Sequence, residues 1–142
     1  MAIAESTLDY ITKEEGFRNK AYRDSKGLLT IGVGHLIKPD EEHLKSAVLT
    51  DEQVKELLKS DLKWCSEAVE SSVRVPLTQK QFDALYSLCF NIGETNFKKS
   101  TVVKKLNAND LKGAADAILM WNKPAVLEKR RQRERALFLA DI

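Results

Sequence analysis

The feature that most limits how this chain can fold is an abrupt change from a helical pattern to a hairpin pattern near residue 16. Apolar residues recur with helical spacing over 3–11. Gly16 follows Glu15 at the place where a left-handed residue would end that helix. Segments 21–23 and 28–31 are then predicted as paired strands, because turn residues separate them. The sequence therefore predicts a helix that runs almost directly into an antiparallel hairpin.

Three polar side chains in this stretch have the chemistry of a hydrolase. Glu15 falls in the last helical turn, where the helix dipole disfavours a carboxylate and favours the protonated acid. Asp24 begins the predicted turn and is expected to face solvent as a carboxylate. Thr30 lies on the return strand, which a tight hairpin brings back near Asp24. A proton donor, a carboxylate and a hydroxyl that holds water suit acid/base hydrolysis. Glu14 is the rival for the acid, but it points about 100° away from Glu15.

Taken singly, these acids would be ordinary surface residues, whereas their joint spacing is specific. The chain contains Glu15-Gly16, then Tyr22-Arg23-Asp24, then Gly27-Leu28-Leu29-Thr30-Ile31-Gly32-Val33-Gly34-His35. This pattern resembles the catalytic signature of the phage-type lysozymes, endolysins of glycoside hydrolase family 24, which include the T-even phage lysozymes. The resemblance extends over 76–93 and over Arg130, Arg131 and Glu134, although Val126 stands where the family usually has glycine.

The resemblance implies a lysozyme-like fold of class α+β, predominantly helical, with a small antiparallel β-sheet and a long central helix. It implies a single domain, 1–142, made of two lobes with a cleft between them. The small β-containing lobe would cover about 16–50, and the connecting helix about 51–71. The helical lobe would cover about 72–142 together with the N-terminal helix.

The resemblance also implies an endolysin that hydrolyses the β-1,4 bond between N-acetylmuramic acid and N-acetylglucosamine in peptidoglycan and so lyses the host cell. Glu15 would protonate the leaving oxygen, while Asp24 and Thr30 would position the attacking water. Attack by water predicts inversion, with the carboxyls about 6.5–9.5 Å apart rather than about 5–5.5 Å. Two alternatives stay open: a lytic transglycosylase, which needs no activated water, and a non-catalytic wall-binding domain.

Two further residues are candidates for contact with substrate. His35 ends the glycine-rich signature, and we favour a supporting role near the catalytic acid over proton transfer. Asn91 is either a sugar contact, as the resemblance suggests, or a helix C-cap. Trp121 could stack on a sugar ring, but an aromatic residue at helical spacing is more often part of the core.

Capping signals predict the later helices. Thr50 with Gln53, and Thr78 with Gln81, form capping-box patterns. The helix after Thr50 is predicted to run to about residue 71, and the helix after Thr78 to about 92. Ser100 is predicted to cap a short helix through residue 106. Further helices are predicted to start at 109–110 and at Pro124.

Composition excludes several other classes of protein. The chain has 142 residues and a net charge of +2, which is too mild to indicate nucleic-acid binding. Its two cysteines, Cys65 and Cys89, are predicted to be buried thiols rather than a disulfide. Two histidines without suitable partners predict no metal site, and no cofactor is implied.

The location of the protein is inferred from its apolar pattern. No N-terminal signal and no membrane-spanning segment is predicted, so a separate holin would release the protein from the host cytoplasm to the cell wall. The protein is expected to be a monomer, because nothing in the sequence indicates a partner subunit. The basic residues of the last helix predict either a solvated face or attraction to an anionic wall polymer or lipid surface. They are Lys129, Arg130, Arg131, Arg133 and Arg135.

Overall fold

The computed structural model describes residues 3–140, which form a small antiparallel sheet and a larger set of helices. The α-helices of this part are α1 Glu5–Glu15, α2 Asp51–Ser72, α3 Gln79–Ile92, α4 Glu94–Lys99, α5 Thr101–Asn107, α6 Leu111–Ile118 and α7 Glu128–Leu139. The strands are β1 Arg18–Arg23, β2 Leu29–Gly32 and β3 His35–Leu36. Two 3₁₀ helices cover Pro39–Lys45 and Ala125–Leu127. The α+β, predominantly helical fold class is confirmed.

The chain divides into two compact units, and the boundary falls inside α2. The first unit is Ile3–Leu62, and the second begins at Lys63. The sequence analysis groups α1 with the helical lobe, whereas in the structure α1 belongs to the first unit. Within that unit, Lys55 Nζ on α2 lies 3.2 Å from the Glu5 carboxylate on α1.

The first unit is built around the three-stranded sheet, whose strand order is β1-β2-β3. Tyr22 on β1 pairs with Thr30 on β2, and Thr30 pairs in turn with Leu36 on β3. These three residues therefore form one row across the sheet, with side chains on the same face. Apolar side chains fill the core of this unit: Leu8, Ile11, Ile31, Val33, Leu44, Val54, Leu58 and Leu62.

Capping side chains fix the ends of the long helices where the sequence predicts them. The hydroxyl of Thr50 accepts a hydrogen bond from Gln53 N, and the Gln53 side chain accepts one from Thr50 N. Thr78 and Gln81 form the same reciprocal pair at the start of α3. Each pair satisfies backbone N–H groups that would otherwise lack a partner in the first helical turn.

In the second unit, α7 packs against α3 and α6, and α5 packs against α6. The largest fully buried apolar side chains of this unit are Tyr86, Phe97, Phe138, Leu85, Leu88 and Leu106. Cys65 and Cys89 are buried and form no disulfide, as predicted. Trp121 is half-buried and lies beyond the end of α6, so the prediction that it belongs to the core is wrong.

Two other features differ from the sequence predictions. The short helix α4 was not predicted, and Phe97 is its one buried residue. The prediction of a solvated basic face on α7 is also wrong for Arg130 and Arg131, which are only 6% and 0% exposed. Within residues 3–140, none of the helices combines the length and the apolar composition needed to cross a membrane.

Candidate active site

Glu15 is the last residue of α1, as predicted, and its side chain is exposed. The helix ends there because Gly16 adopts φ 72° and ψ 171° while its N–H donates to Thr12 O at 2.7 Å. The sequence predicts a left-handed residue at this position, but the observed ψ is extended. Backbone with positive φ and extended ψ is accessible almost only to glycine. The chain consequently leaves the helix in an extended direction and enters β1 at Arg18.

Asp24 organises the hairpin turn through its main chain and its carboxylate. Its Oδ1 accepts hydrogen bonds from the backbone N–H groups of Lys26 and Leu28, both at 2.9 Å. Its own N–H donates to Leu28 O at 2.9 Å, and its carbonyl accepts from Gly27 N. Asp24 is half-buried rather than fully solvent-facing, because the turn folds back over Oδ1. These contacts engage Oδ1, whereas no described residue donates a hydrogen bond to Oδ2.

Thr30 is buried, with 2% of its surface exposed. Its hydroxyl donates a hydrogen bond to Leu28 O at 2.9 Å. Because this bond uses its single proton, the Thr30 oxygen can only accept a hydrogen bond from any further partner. The main chain of Leu28 thus contacts both Asp24 and Thr30, and it holds them at one end of the hairpin.

Two contributors to this turn were not predicted from the sequence. One is the Leu28 main chain, since a pattern of side chains does not show which amide or carbonyl will be shared. The other is Arg23, whose guanidinium donates to Gly27 O at 2.8 Å and closes the turn from the outside. The sequence feature that could have indicated the contact between Arg23 and Gly27 is the position of Arg23 directly before the turn residue Asp24.

His35 is 6% exposed, and each of its ring nitrogens faces a carboxylate. Nδ1 lies 2.8 Å from Asp61 on α2, and Nε2 lies 2.9 Å from Glu41 in the 3₁₀ helix. His35 therefore connects β3 to two other elements of the first unit. This arrangement favours the supporting role over direct contact with substrate, because both ring nitrogens already have partners.

The two carboxylates control the protonation of His35. Burial alone would lower the pKa of His35, but the hydrogen bonds that its ring donates to Glu41 and Asp61 outweigh burial and raise the pKa above 6.5. The backbone N–H of Lys38 and the contact with His35 lower the pKa of Glu41. Burial raises the pKa of Asp61, and the His35 contact opposes that rise. The protonated imidazole therefore suits this site.

We expect the folded protein to lose stability as the pH rises through the pKa of His35. Since folding raises that pKa above 6.5, the stabilising contribution is fully present below about pH 6.5 and is lost as the pH passes the folded-state value. Melting temperatures measured from about pH 5 to 8 should show this loss in the wild type and not in His35→Asn. Parallel profiles for the two proteins would contradict the assignment.

Asn91 lies in the last turn of α3 and is exposed. Gly93, with φ 92°, is the C-cap residue of this helix, so the C-cap interpretation of Asn91 is wrong. The side-chain oxygen of Asn91 instead accepts a hydrogen bond from Arg131 Nη2 at 2.6 Å.

Arg131 belongs to a buried charged cluster that joins α3 to α7. Its Nε lies 3.2 Å from the carboxylate of Glu134, which Arg130 Nε also contacts at 3.2 Å. Ser87 on α3 donates its hydroxyl to the same carboxylate and accepts from Arg130 Nη2. The sequence identifies Arg130, Arg131 and Glu134 as one motif, but it does not predict that they are buried or that Ser87 joins them.

Among residues 3–140, no three His, Cys, Asp or Glu side chains are grouped so that they could hold a metal ion. The chemistry available here is proton transfer from an exposed carboxyl and water positioning by a carboxylate and a hydroxyl. This is the chemistry that glycoside hydrolysis uses.

Comparison with known proteins gives consistent matches over nearly the whole chain. Residues 12–134 match the family model for phage lysozyme. The endolysin of Salmonella phage P22 is 50% identical over 145 aligned residues, covering 99% of each chain. A crystal structure of a P22 lysozyme mutant matches with a TM-score of 0.90 at 49% identity, covering 98% of this chain and 99% of that one. The muramidase domain of SpmX from Asticaccaulis excentricus matches with a TM-score of 0.84 at 37% identity, covering 96% and 97%.

Proposed function

Since this chain belongs to the phage lysozyme family, we propose that Glu15, Asp24 and Thr30 carry out its glycosidic bond cleavage. The protein is a lysozyme-type endolysin, a muramidase that cleaves bacterial peptidoglycan. The bond that it cleaves is the β-1,4 linkage between N-acetylmuramic acid and N-acetylglucosamine. The roles of the individual residues are the part that we propose.

The proposal rests chiefly on the main chain of Leu28, which forms hydrogen bonds with both Asp24 and Thr30. Asp24 has Oδ1 engaged by two N–H groups, so Oδ2 remains to accept a proton from water. The Thr30 hydroxyl donates to Leu28 O and therefore accepts from that water. A water that donates one hydrogen to each oxygen keeps a lone pair for attack on the anomeric carbon. Attack by such a water inverts the configuration at that carbon.

Glu15 is the proposed general acid. Its carboxyl is exposed at the C-terminal end of α1. A carboxyl that keeps its proton can transfer it to the departing glycosidic oxygen. Asp24, in contrast, accepts two backbone N–H hydrogen bonds at Oδ1. The two acids thus have different surroundings, as an acid and a base should.

We propose supporting roles for the two other candidates. Asn91 contacts a sugar of the bound glycan, and His35 holds β3 in place through Asp61 and Glu41.

Endolysins act on the host cell wall, and we propose that this one acts there as a monomer after release by a separate holin. The exposed cations of α7, Lys129 and Arg133, are proposed to add attraction to the anionic wall.

Thr30→Val tests whether the hydroxyl positions water. Valine has the same shape but no oxygen, so we expect the rate of bond cleavage to fall by about 10²-fold. Thr30→Ser keeps the hydroxyl and should retain most of the activity. The measurement is the release of new reducing N-acetylmuramic acid ends from purified peptidoglycan. Equal rates for the Val and Ser variants would remove Thr30 from the mechanism, and 1,6-anhydro ends in the wild-type digest would exclude attack by water.

A further inference from the structure

A second row of side chains crosses the sheet of the first unit, on the face opposite Thr30. Arg23 on β1 pairs with Leu29 on β2, and the N–H of Ile37 donates to Leu29 O at 3.0 Å. Because neighbouring residues of a strand point to opposite faces, these three side chains share the face that Thr30 does not. An open groove lies over this row, and we call it the hairpin groove. Its lining includes Arg23, Leu29, Ile37, Lys38, Glu42 and Lys45.

The hairpin groove carries an excess of positive charge. Three of its lining side chains are cationic, and Glu42 is the one carboxylate among its lining residues. Glu42 pairs with Lys45 at 2.9 Å, so these two charges compensate each other. The guanidinium of Arg23 donates to a neutral acceptor, the carbonyl of Gly27. Neither Arg23 nor Lys38 forms an ion pair with a carboxylate of residues 3–140. Two cations are therefore available to an anionic ligand.

Apolar surface lies beside these cations. Leu29 and Ile37 are half-buried, so part of each side chain remains accessible in the groove. A bilayer binds surfaces whose apolar side chains protrude, whereas a concave surface of this kind suits a short chain that lies in it. A matching ligand carries carboxylates next to small apolar groups.

We propose that the hairpin groove binds the acidic peptides that peptidoglycan carries on its glycan strands. The proposal rests on the cleavage of peptidoglycan by this protein and not on the role of any catalytic residue. These peptides combine free carboxylates with alanine methyl groups. Arg23 and Lys38 pair with the carboxylates, while Leu29 and Ile37 contact the methyl groups.

The position of the groove determines which peptide it binds. A peptide in the groove and a sugar at Thr30 lie on opposite faces of the same sheet. The bound peptide therefore belongs to a different repeat of the wall polymer from the one that is cleaved. Attachment to one repeat raises the effective concentration of the others, which lowers KM for intact peptidoglycan and leaves kcat unchanged.

Lys38 is the residue at which this proposal is best tested. Arg23 also closes the turn next to Asp24, so its replacement would disturb a proposed catalytic group. The Lys38 side chain is exposed, and its backbone N–H, which donates to Glu41 at 3.0 Å, is present in every variant. Lys38→Gln removes the charge, and Lys38→Arg retains it. Lys112→Gln is the matched control, since it removes the same charge from an exposed position of α6 in the second unit.

The measurement is an amide chemical-shift titration of the full chain with free stem peptides, which an amidase releases from purified peptidoglycan. We expect the wild-type shifts to cluster at the amides of Leu29, Ile37 and their neighbours. The Kd should rise about threefold in Lys38→Gln and stay at the wild-type value in Lys38→Arg and Lys112→Gln. KM for intact peptidoglycan should rise by a similar factor in Lys38→Gln, with kcat unchanged.

Three results would overturn the proposal. They are shifts that cluster away from the groove, the absence of any shift at millimolar peptide, and equal Kd values for Lys38→Gln and Lys112→Gln. Groove shifts caused by phosphatidylglycerol vesicles but not by stem peptides would assign the surface to anionic lipid instead. Failure of the catalytic assignment is distinguishable, because wild-type turnover in Glu15→Gln would refute the proposed acid and leave the titration unaffected.

Discussion

Glu15→Gln should abolish most of the lytic activity and leave the fold intact. Glutamine has the same shape as glutamic acid but cannot transfer a proton to the glycosidic oxygen, so kcat should fall by about 10²–10⁴-fold. The side chain is exposed at the end of α1, where the helix is closed by the Gly16 N–H and not by the carboxylate. Melting temperature should therefore change little. Turnover of purified peptidoglycan, measured with thermal unfolding, checks both expectations.

The adjacent acid provides the matched control. Glu14→Gln makes the same chemical change one residue earlier, at a position that the helix turns about 100° away. It should keep a turnover number close to that of the wild type. If Glu14→Gln is the inactive variant and Glu15→Gln is active, the acid has been assigned to the wrong residue, and the orientation of the end of α1 must be reconsidered.

Glu134→Gln should be the most destabilising conservative change in the second unit. The carboxylate is completely buried between the guanidiniums of Arg130 and Arg131. Burial raises its pKa above 4.5, and the contacts with Arg131, Ser87 and Arg130 oppose that rise. Removal of the negative charge takes away the carboxylate that both buried guanidiniums contact, which costs about 3–5 kcal/mol of the free energy of unfolding.

Urea denaturation measures this cost as a lower midpoint at an unchanged slope. Glu128→Gln removes a carboxylate from an exposed position of the same helix and should change the free energy of unfolding by less than about 0.5 kcal/mol. Equal midpoints for the two variants would show that the buried ion cluster does not stabilise the contact between α3 and α7.

Local signals explain why so much of the fold was predictable. The capping pairs at Thr50 and Thr78 lie within four residues of the helices that they begin, and the Gly16 helix end and the Gly27 turn are equally local. A short helix such as α4 has one buried residue and therefore little periodicity to detect. The hairpin that carries Asp24 and Thr30 was predictable for the same reason, because its turn signals are local.

The missed contacts join residues that are distant in sequence. His35 is separated by 26 residues from Asp61, and Arg130 by 43 residues from Ser87. The default expectation for arginine on a helix is a solvated side chain, and only the packing of α7 against α3 reverses it. A sequence pattern can thus indicate that Arg130, Arg131 and Glu134 belong together without showing that they are buried.

The way in which Leu28 connects Asp24 to Thr30 has a consequence for how this gene can vary. Leu28 acts through its amide and its carbonyl, and its side chain is 48% exposed. Every amino acid except proline supplies the same two groups. Substitutions other than proline at this position are therefore expected to keep both main-chain groups, even though the residue contacts two proposed catalytic groups. Mutational tolerance at residue 28 would thus conceal its importance from a scan of side chains.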